Sequence, residues 1–215
     1  MFYFFYFCDT MLLVIYMTEV RVPTQKRSIE KRNNIIEKGF YLMCENGYYN
    51  TNTNDIAKYV GVSTGIIYQY FNDKKDIFAQ GFENYSDSIM FPILDVLNTS
   101  INFDNLPVVF DGLLDVFIKK HTLSKKAHEQ MIGLAHLDDD LAKIFHDKEI
   151  DTTKRIVKIL ESNGIKCPNL FEKVHIIMGI VENYCHEVAY HKHDDIDYNI
   201  MKVEVTNIVS YILEI

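Results

Sequence analysis

The chain has 215 residues, 48% of them apolar and 24% charged, which is enough to bury a sizeable core and too apolar for a disordered chain. Cys8, Cys44, Cys167 and Cys185 form no C-x-x-C pair and no metal-ligand spacing, so a disulfide framework, a zinc module and a bound metal are not expected, and the thiols read as reduced in a cytoplasmic protein. The net charge of -8 is unevenly divided: residues 18 to 75 carry nine Lys/Arg against six Asp/Glu, or +3, and residues 76 to 215 carry thirteen against twenty-three, or -10. A mildly basic head on an acidic body suits a chain that brings one end to phosphates, although a solvated acidic surface gives the same totals.

Residues 1 to 17 are apolar apart from Asp9 and Thr10. No Lys or Arg precedes Arg21, as a secretory signal would require, and the run is short for a spanning helix of roughly 20 residues. Three readings remain open: translation beginning at Met17, an anchor or interfacial segment, and an ordered extension of the fold. The first is preferred, and no membrane partner is expected.

Beyond that segment, glycine and proline are scarce and apolar residues recur at three and four, so an all-α fold is expected. The first helix is predicted over 28–45, with Ile35, Ile36, Phe40, Leu42 and Met43 on its apolar face and Asn46-Gly47 as its stop. A short helix follows over 53–60, capped by Asn52 with Asp55 three residues on as a capping box, and closed by Gly61. The third covers 64–71 behind Ser63, and the fourth runs from 74 towards 90 and stops before Pro92. Further helices are expected near 93–98, 106–121, 124–136, 138–163, 169–191 and 196–214.

Within 47–77 the spacing fits a helix-turn-helix. Ile56 and Val60 face inward one turn apart, Ala57 admits a close crossing, Gly61 takes the turn, and Val62, Ile67, Tyr70 and Phe71 complete the small core. Ser63, Thr64, Gly65, Tyr68 and Gln69 then face outward with Ile66 at the margin, a set suited to phosphate oxygens and base edges. Helix starts at Asn52 and Ser63 offer N–H groups to phosphate, and Lys74 adds a positive charge.

The run Ile56, Ala57, Gly61, Val62, Ser63, Gly65, Tyr68, Tyr70, Phe71 and Lys74 resembles the signature of the TetR family of transcriptional regulators. The resemblance covers residues 28 to 88; the rest is similar only in length, helicity and a long final helix pair. It implies an N-terminal three-helix DNA-binding domain followed by a larger helical ligand-binding and dimerisation domain. The expected division is 1–27 extension, 28–88 helix-turn-helix domain with the motif at about 51–70, and 89–215 effector-binding and dimerisation domain. It implies phosphate contacts from Thr51, Asn52, Tyr68 and Lys74, and the DNA-binding set becomes Thr51, Asn52, Thr53, Ser63, Thr64, Gly65, Ile66, Tyr68, Gln69, Tyr70 and Lys74. Asn52 stands where threonine is usual, Gln69 where histidine is common and Ile66 where threonine is common, so the operator need not be a familiar one.

The resemblance further implies a double-stranded DNA operator, a homodimer and a small-molecule effector held between the body's central helices. Phe110, Phe117, His121, Met131, His136, Met178 and Tyr184 are the candidate pocket residues, although plain core packing explains the same residue types. Ile177, Val181, Cys185 and Val188 on one long helix, with Ile208, Ile212 and Ile215 on the next, form a stripe expected to pair two protomers. His186, His191 and His193 beside Asp194 and Asp195 fall where a helix runs into a polar loop and are not expected to hold a metal, and no cofactor is implied. No nucleophile motif, glycine-rich phosphate loop or H-E-x-x-H is present, so no enzyme is expected. The function expected is a repressor released from a palindromic operator by its effector; the alternative is a helical interaction module or a degenerate regulator that no longer binds DNA.

Overall fold

The computed structural model describes residues 22–98, 106–121 and 123–214; the expectations for the first 17 residues and for Ile215 lie outside them. Among the described residues the elements are all helical: α1 (Lys26–Asn46), α2 (Thr53–Val60), α3 (Thr64–Tyr70), α4 (Lys74–Asn98), α5 (Leu106–Lys120), α6 (Lys125–Leu137), α7 (Asp139–Ser162), α8 (Leu170–Tyr190) and α9 (Tyr198–Leu213). None of them is long and apolar enough to cross a membrane.

The head forms because three short apolar faces converge on the start of α4. Ile35, Ile36, Phe40 and Met43 of α1, Ile56 and Ala57 of α2, Ile67 and Tyr70 of α3, and Phe71, Ile77 and Phe78 beyond them are all buried in one cluster. Gly61 takes a left-handed φ of 80° to turn α2 into α3, as its place in the sequence requires. Gly81 serves a different need: a Cβ there would stand 2.2 Å from the Cβ of Phe40, so only glycine lets α4 cross α1 this closely.

The same cluster continues into the body. Leu123, Ala127, Met131 and Leu134 of the α6 region and Leu141 of α7 are buried in it with the head's side chains. Polar contacts reinforce the junction: Ser124 Oγ donates to Glu45 Oε1 at 2.7 Å, and Lys75 Nζ reaches Asp138 at 3.5 Å and Asp140 at 2.7 Å. A second cluster, with Ile89, Ile93, Phe110, Leu114, Leu160, Val174, Cys185, Val205 and Val209, is the core of the body.

The expected stop before Pro92 does not occur, and α4 continues to Asn98. Proline removes the hydrogen bond to the carbonyl four residues back, here that of Ser88. Ser88 lies on the exposed side of the helix, where a carbonyl freed by the proline is cheap, while Ile89, Ile93 and Leu94 on the other side are buried and hold the helix down.

Candidate nucleic-acid interface and effector cavity

The start of α2 is built by a capping box. The Asn52 side chain accepts from the N–H of Asn54 and Asp55, and an Asp55 carboxylate oxygen accepts from the Asn52 N–H at 2.9 Å. The expectation of several open N–H groups here is corrected accordingly, because the cap consumes all but the first turn's Thr53. At α3 the reverse holds: the Ser63 hydroxyl accepts no cap hydrogen bond, which leaves the N–H groups of Thr64 and Gly65 for an outside acceptor.

On α3, Ser63, Gly65 and Tyr68 are exposed, the last by half of its surface, while Thr64, Ile66 and Gln69 are partly covered. Thr64 Oγ1 donates to Asn54 Oδ1 at 2.8 Å, so α2 and α3 share one polar edge, with Thr53 half-buried beside it. Ile66 leans on the head's core, as its marginal position predicts.

Three residues assigned to DNA are placed otherwise. Tyr70 is buried in the head's core, one turn inside the outward face, and has no surface to offer a duplex. Thr51 is also buried, its hydroxyl donating to the Gly47 carbonyl at 2.9 Å. Lys74 Nζ donates to the carbonyls of Tyr48 at 2.6 Å and Thr51 at 2.9 Å and lies over the Tyr48 ring, so its charge ties the α1–α2 loop to α4. Burial there lowers its pKa. Sequence reasoning passed over Lys26 and Arg27 in the first turn of α1, and Lys58 on α2, which are exposed and make no ion pair among the described residues. Clustering of charge at a helix start was the available signal.

The body encloses a cavity of about 560 Å³ between α4, α5, α6, α7, α8 and α9. Phe110, Phe117, His121, Met131, His136 and Met178 all line it. Tyr184 does not: it is buried, with its hydroxyl towards the Tyr198 carbonyl at 3.5 Å, because its turn of α8 faces α9. The cavity's ends differ. By their places along the helices, Tyr85, Ser86, His121, His128, His136, Lys148, Glu149, Thr152, Glu182 and His186 lie towards the head among the apolar Phe82, Met131, Ile132 and Phe145, whereas Met90, Ile93, Leu97, Val109, Phe110, Leu113, Leu114, Ile156, Leu160, Val209 and Leu213 line the far half.

At the head-proximal end the rings of His121, His128 and His186 gather, with centroids 4.4 to 6.0 Å apart, and Tyr190 stacks on His128. Burial, then the neighbouring imidazoles, pushes His128 down to about 4 and His186 to about 3, and burial lowers His121 as well. All three are therefore neutral near pH 7. Lys148 is paired with Asp87 at 2.6 Å, whereas Glu149 and Glu182 keep about half of their side-chain surface in solvent and mark the mouth between α7 and α8. Among the described residues no three His, Cys, Asp or Glu side chains stand together as metal ligands.

The stripe assigned to the dimer is also corrected. Ile177 and Val181 line the cavity, Cys185 is completely buried, and Val188 packs against the body's core. One residue of rotation, about 100° on an α-helix, separates this inward stripe from the outward one. The outward face of α8 carries Ile176, while Ile180 is half-buried against the body's core, and that of α9 carries Ile200, Val203, Ile208 and Tyr211; of the predicted α9 residues, Ile208 is exposed and Ile212 half-buried.

Residues 35–80 match the sequence pattern of the family described as bacterial regulatory proteins, tetR family. The chain is 46% identical over 59 residues to the HTH-type transcriptional regulator HbdR of Aromatoleum sp. (strain CIB), a match covering 27% of this chain and only 26% of that protein. It is 26% identical over 156 residues to IcaR of Staphylococcus aureus (strain Newman), a negative transcriptional regulator of the biofilm operon icaADBC, covering 63% of this chain and 83% of that one. A crystal structure of a TetR-family transcriptional regulator from Mesorhizobium loti superposes with a TM-score of 0.65 at 18% identity, over 88% of this chain and 98% of the other, a likeness of fold. Residues 35–80 thus carry a DNA-binding domain of the tetR family, on a chain whose helical fold, nine helices among the described residues, is like that of solved TetR-family regulators.

Proposed function

We propose that the protein is a dimeric repressor that holds a palindromic operator through α2 and α3 and lets go when a small molecule fills the body's cavity. The observation that carries this reading is the double duty of α6. Its Ala127, Met131 and Leu134 are part of the head's core, and its His128, Met131 and His136 are part of the cavity wall. A ligand that moves α6 therefore moves the head. For release, the ligand must favour the conformer that does not fit DNA, since equal affinity for both would shift nothing.

In this reading Gln69, Thr64 and Gly65 meet the major groove, with Ile66 at its edge. Asn52, Thr53, Ser63 and Tyr68, together with Lys26, Arg27 and Lys58, meet phosphates. Thr51 and Lys74 act from behind by fixing the loop that sets α2 against α1. The repressor works in the cytoplasm without a membrane partner.

Gel shift of the purified protein on the DNA upstream of its own gene tests the proposal. A salt-sensitive, sequence-specific complex is expected, lost when a ligand occupies the cavity. Binding no tighter than to unrelated DNA would overturn it.

A further inference from the structure

We propose that the cavity takes a neutral single-chain amphiphile, with a hydrocarbon tail running along α4 towards Leu97 and a hydroxyl-bearing head between His121, His128 and Tyr85. This rests on the reading of the cavity as the effector site and goes further by naming the ligand's chemistry.

The tail follows from shape and lining. The wall on α4 runs from Phe82 to Leu97, a span of roughly 20 Å at the helical rise. Beyond Ile89 that wall is wholly apolar, and Phe110, Leu114, Leu160 and Leu213 close the far half around it. A site long in one direction and without polar groups over half its length fits a chain, not a compact ring system carrying substituents on every edge.

The head follows from what the polar end lacks. His128 Nδ1 is buried and has no hydrogen-bond partner among the described residues, and the buried Tyr85 hydroxyl has only loose contacts with the Tyr190 hydroxyl and the Leu123 backbone, a cost that a bound group would remove. His121 Nδ1 donates to the Phe117 carbonyl at 2.8 Å, which leaves Nε2 of the neutral ring as an acceptor. Tyr85 supplies a donor and His121 an acceptor, a mixed set answered by a hydroxyl, which gives one hydrogen bond and takes others. A carboxylate could only accept, and on entry it would pass Glu149 and Glu182. The Lys148 charge that might receive it is already paired with Asp87. An ammonium head would be held at the mouth by the half-exposed Glu149 and Glu182 carboxylates and would leave the inner groups unanswered.

Decanol, decanoate, decyltrimethylammonium and decane share a tail and differ in head, and titration calorimetry with thermal melting of the DNA-free full chain compares them. Decanol is expected to raise Tm and to bind on the order of tenfold tighter than each of the others. Tighter binding of either charged amphiphile, or decane binding as well as decanol, would overturn the proposal. His128→Leu should erase the advantage of decanol over decane. Should that variant fail to fold, Val109→Phe decides, because filling the far end should shift the preference from decanol to octanol; an unchanged chain-length preference counts against a tail lying there. Decanol bound with these preferences but unable to release operator DNA would defeat the effector reading and leave the ligand class standing.

Discussion

Tyr68 and Gln69 are neighbours on one helix that differ in exposure, and their chemistry separates their tasks. Tyr68 stands half in solvent and its hydroxyl suits a phosphate oxygen, whereas the Gln69 amide, partly covered, suits a base edge. Tyr68→Ala should weaken binding to all DNA sequences alike, and Gln69→Ala should cost about 1 to 3 kcal/mol on the operator with little change on unrelated DNA; competition gel shifts distinguish the two, and loss of all binding in the glutamine variant would reverse the assignment. Both positions were legible from helical periodicity. Tyr70 was legible in the same way, as part of the core, and its burial takes it out of the DNA-binding set in which it was also placed. The histidines make a pH prediction. His128 faces His121, His186, His191 and Tyr190, with Tyr85 in the same cavity wall, Glu129 beside His191 and Glu182 one turn from His186. Folding holds His128 and His186 below their ordinary value of 6.5, so the unfolded chain binds more protons as pH falls. Their contribution is complete above pH 6.5 and is lost from there down through about 4 and about 3. The thermal midpoint should decline across the upper part of that window, and a His128→Gln, His186→Gln double variant should flatten it; identical acid profiles would show that the imidazoles are not the groups being titrated.

At the scale of elements, short local signals were read well and those that depend on a neighbour were not. The capping box at Asn52 and Asp55 and the turn at Gly61 are written in consecutive residues, and the structure has both. The continuation of α4 through Pro92 depends on Ile89, Ile93 and Leu94 finding partners on other helices, which no local pattern reveals. Lys74 is a similar case, because the two carbonyls it binds belong to a loop more than twenty residues earlier. Lys74→Met keeps the stem and removes the donors, leaving the Tyr48 and Thr51 carbonyls short of a partner. A loss of about 1 to 3 kcal/mol in head stability is expected by chemical denaturation, with weaker DNA binding that recovers at lower temperature. An unaltered denaturation midpoint with reduced affinity would instead return Lys74 to the phosphate-binding set. Gly81 tests the crossing itself. A methyl group there meets the Phe40 side chain, and α1 and α4 must separate; Gly81→Ala should destabilise by about 1 to 3 kcal/mol despite its better helix propensity. A variant as stable as the parent would show that the crossing is slack.

For the whole molecule the question is which face of α8 and α9 meets a second copy, and of the residues the sequence pattern named for it Ile177, Val181 and Cys185 turn inward while Ile208 is exposed. A stripe recurring at three and four shows that a helix has an apolar face; when a helix has two, the pattern does not say which is used inside. Ile177, Val181 and Cys185 are used inside, and Ile176, Ile200, Val203, Ile208 and Tyr211 remain outside, Tyr211 with 85% of its surface uncovered. The outer set spans two adjacent helices whose apolar residues a partner would cover, and a two-fold pairing of α8 and α9 makes a four-helix interface from one patch used twice. The same axis would set two α3 helices into major grooves roughly 34 to 36 Å apart or a multiple of that, which makes the operator a palindrome. Two substitutions separate the faces. Val203→Asp puts a charge in the proposed interface and should give a folded monomer by sedimentation, with affinity for the full operator lost but the helical spectrum unchanged. Val181→Asp puts the same charge in the cavity wall and should lower stability and ligand binding first. A Val203→Asp protein that stays dimeric at micromolar concentration while Val181→Asp becomes a well-folded monomer would restore the inward stripe as the interface.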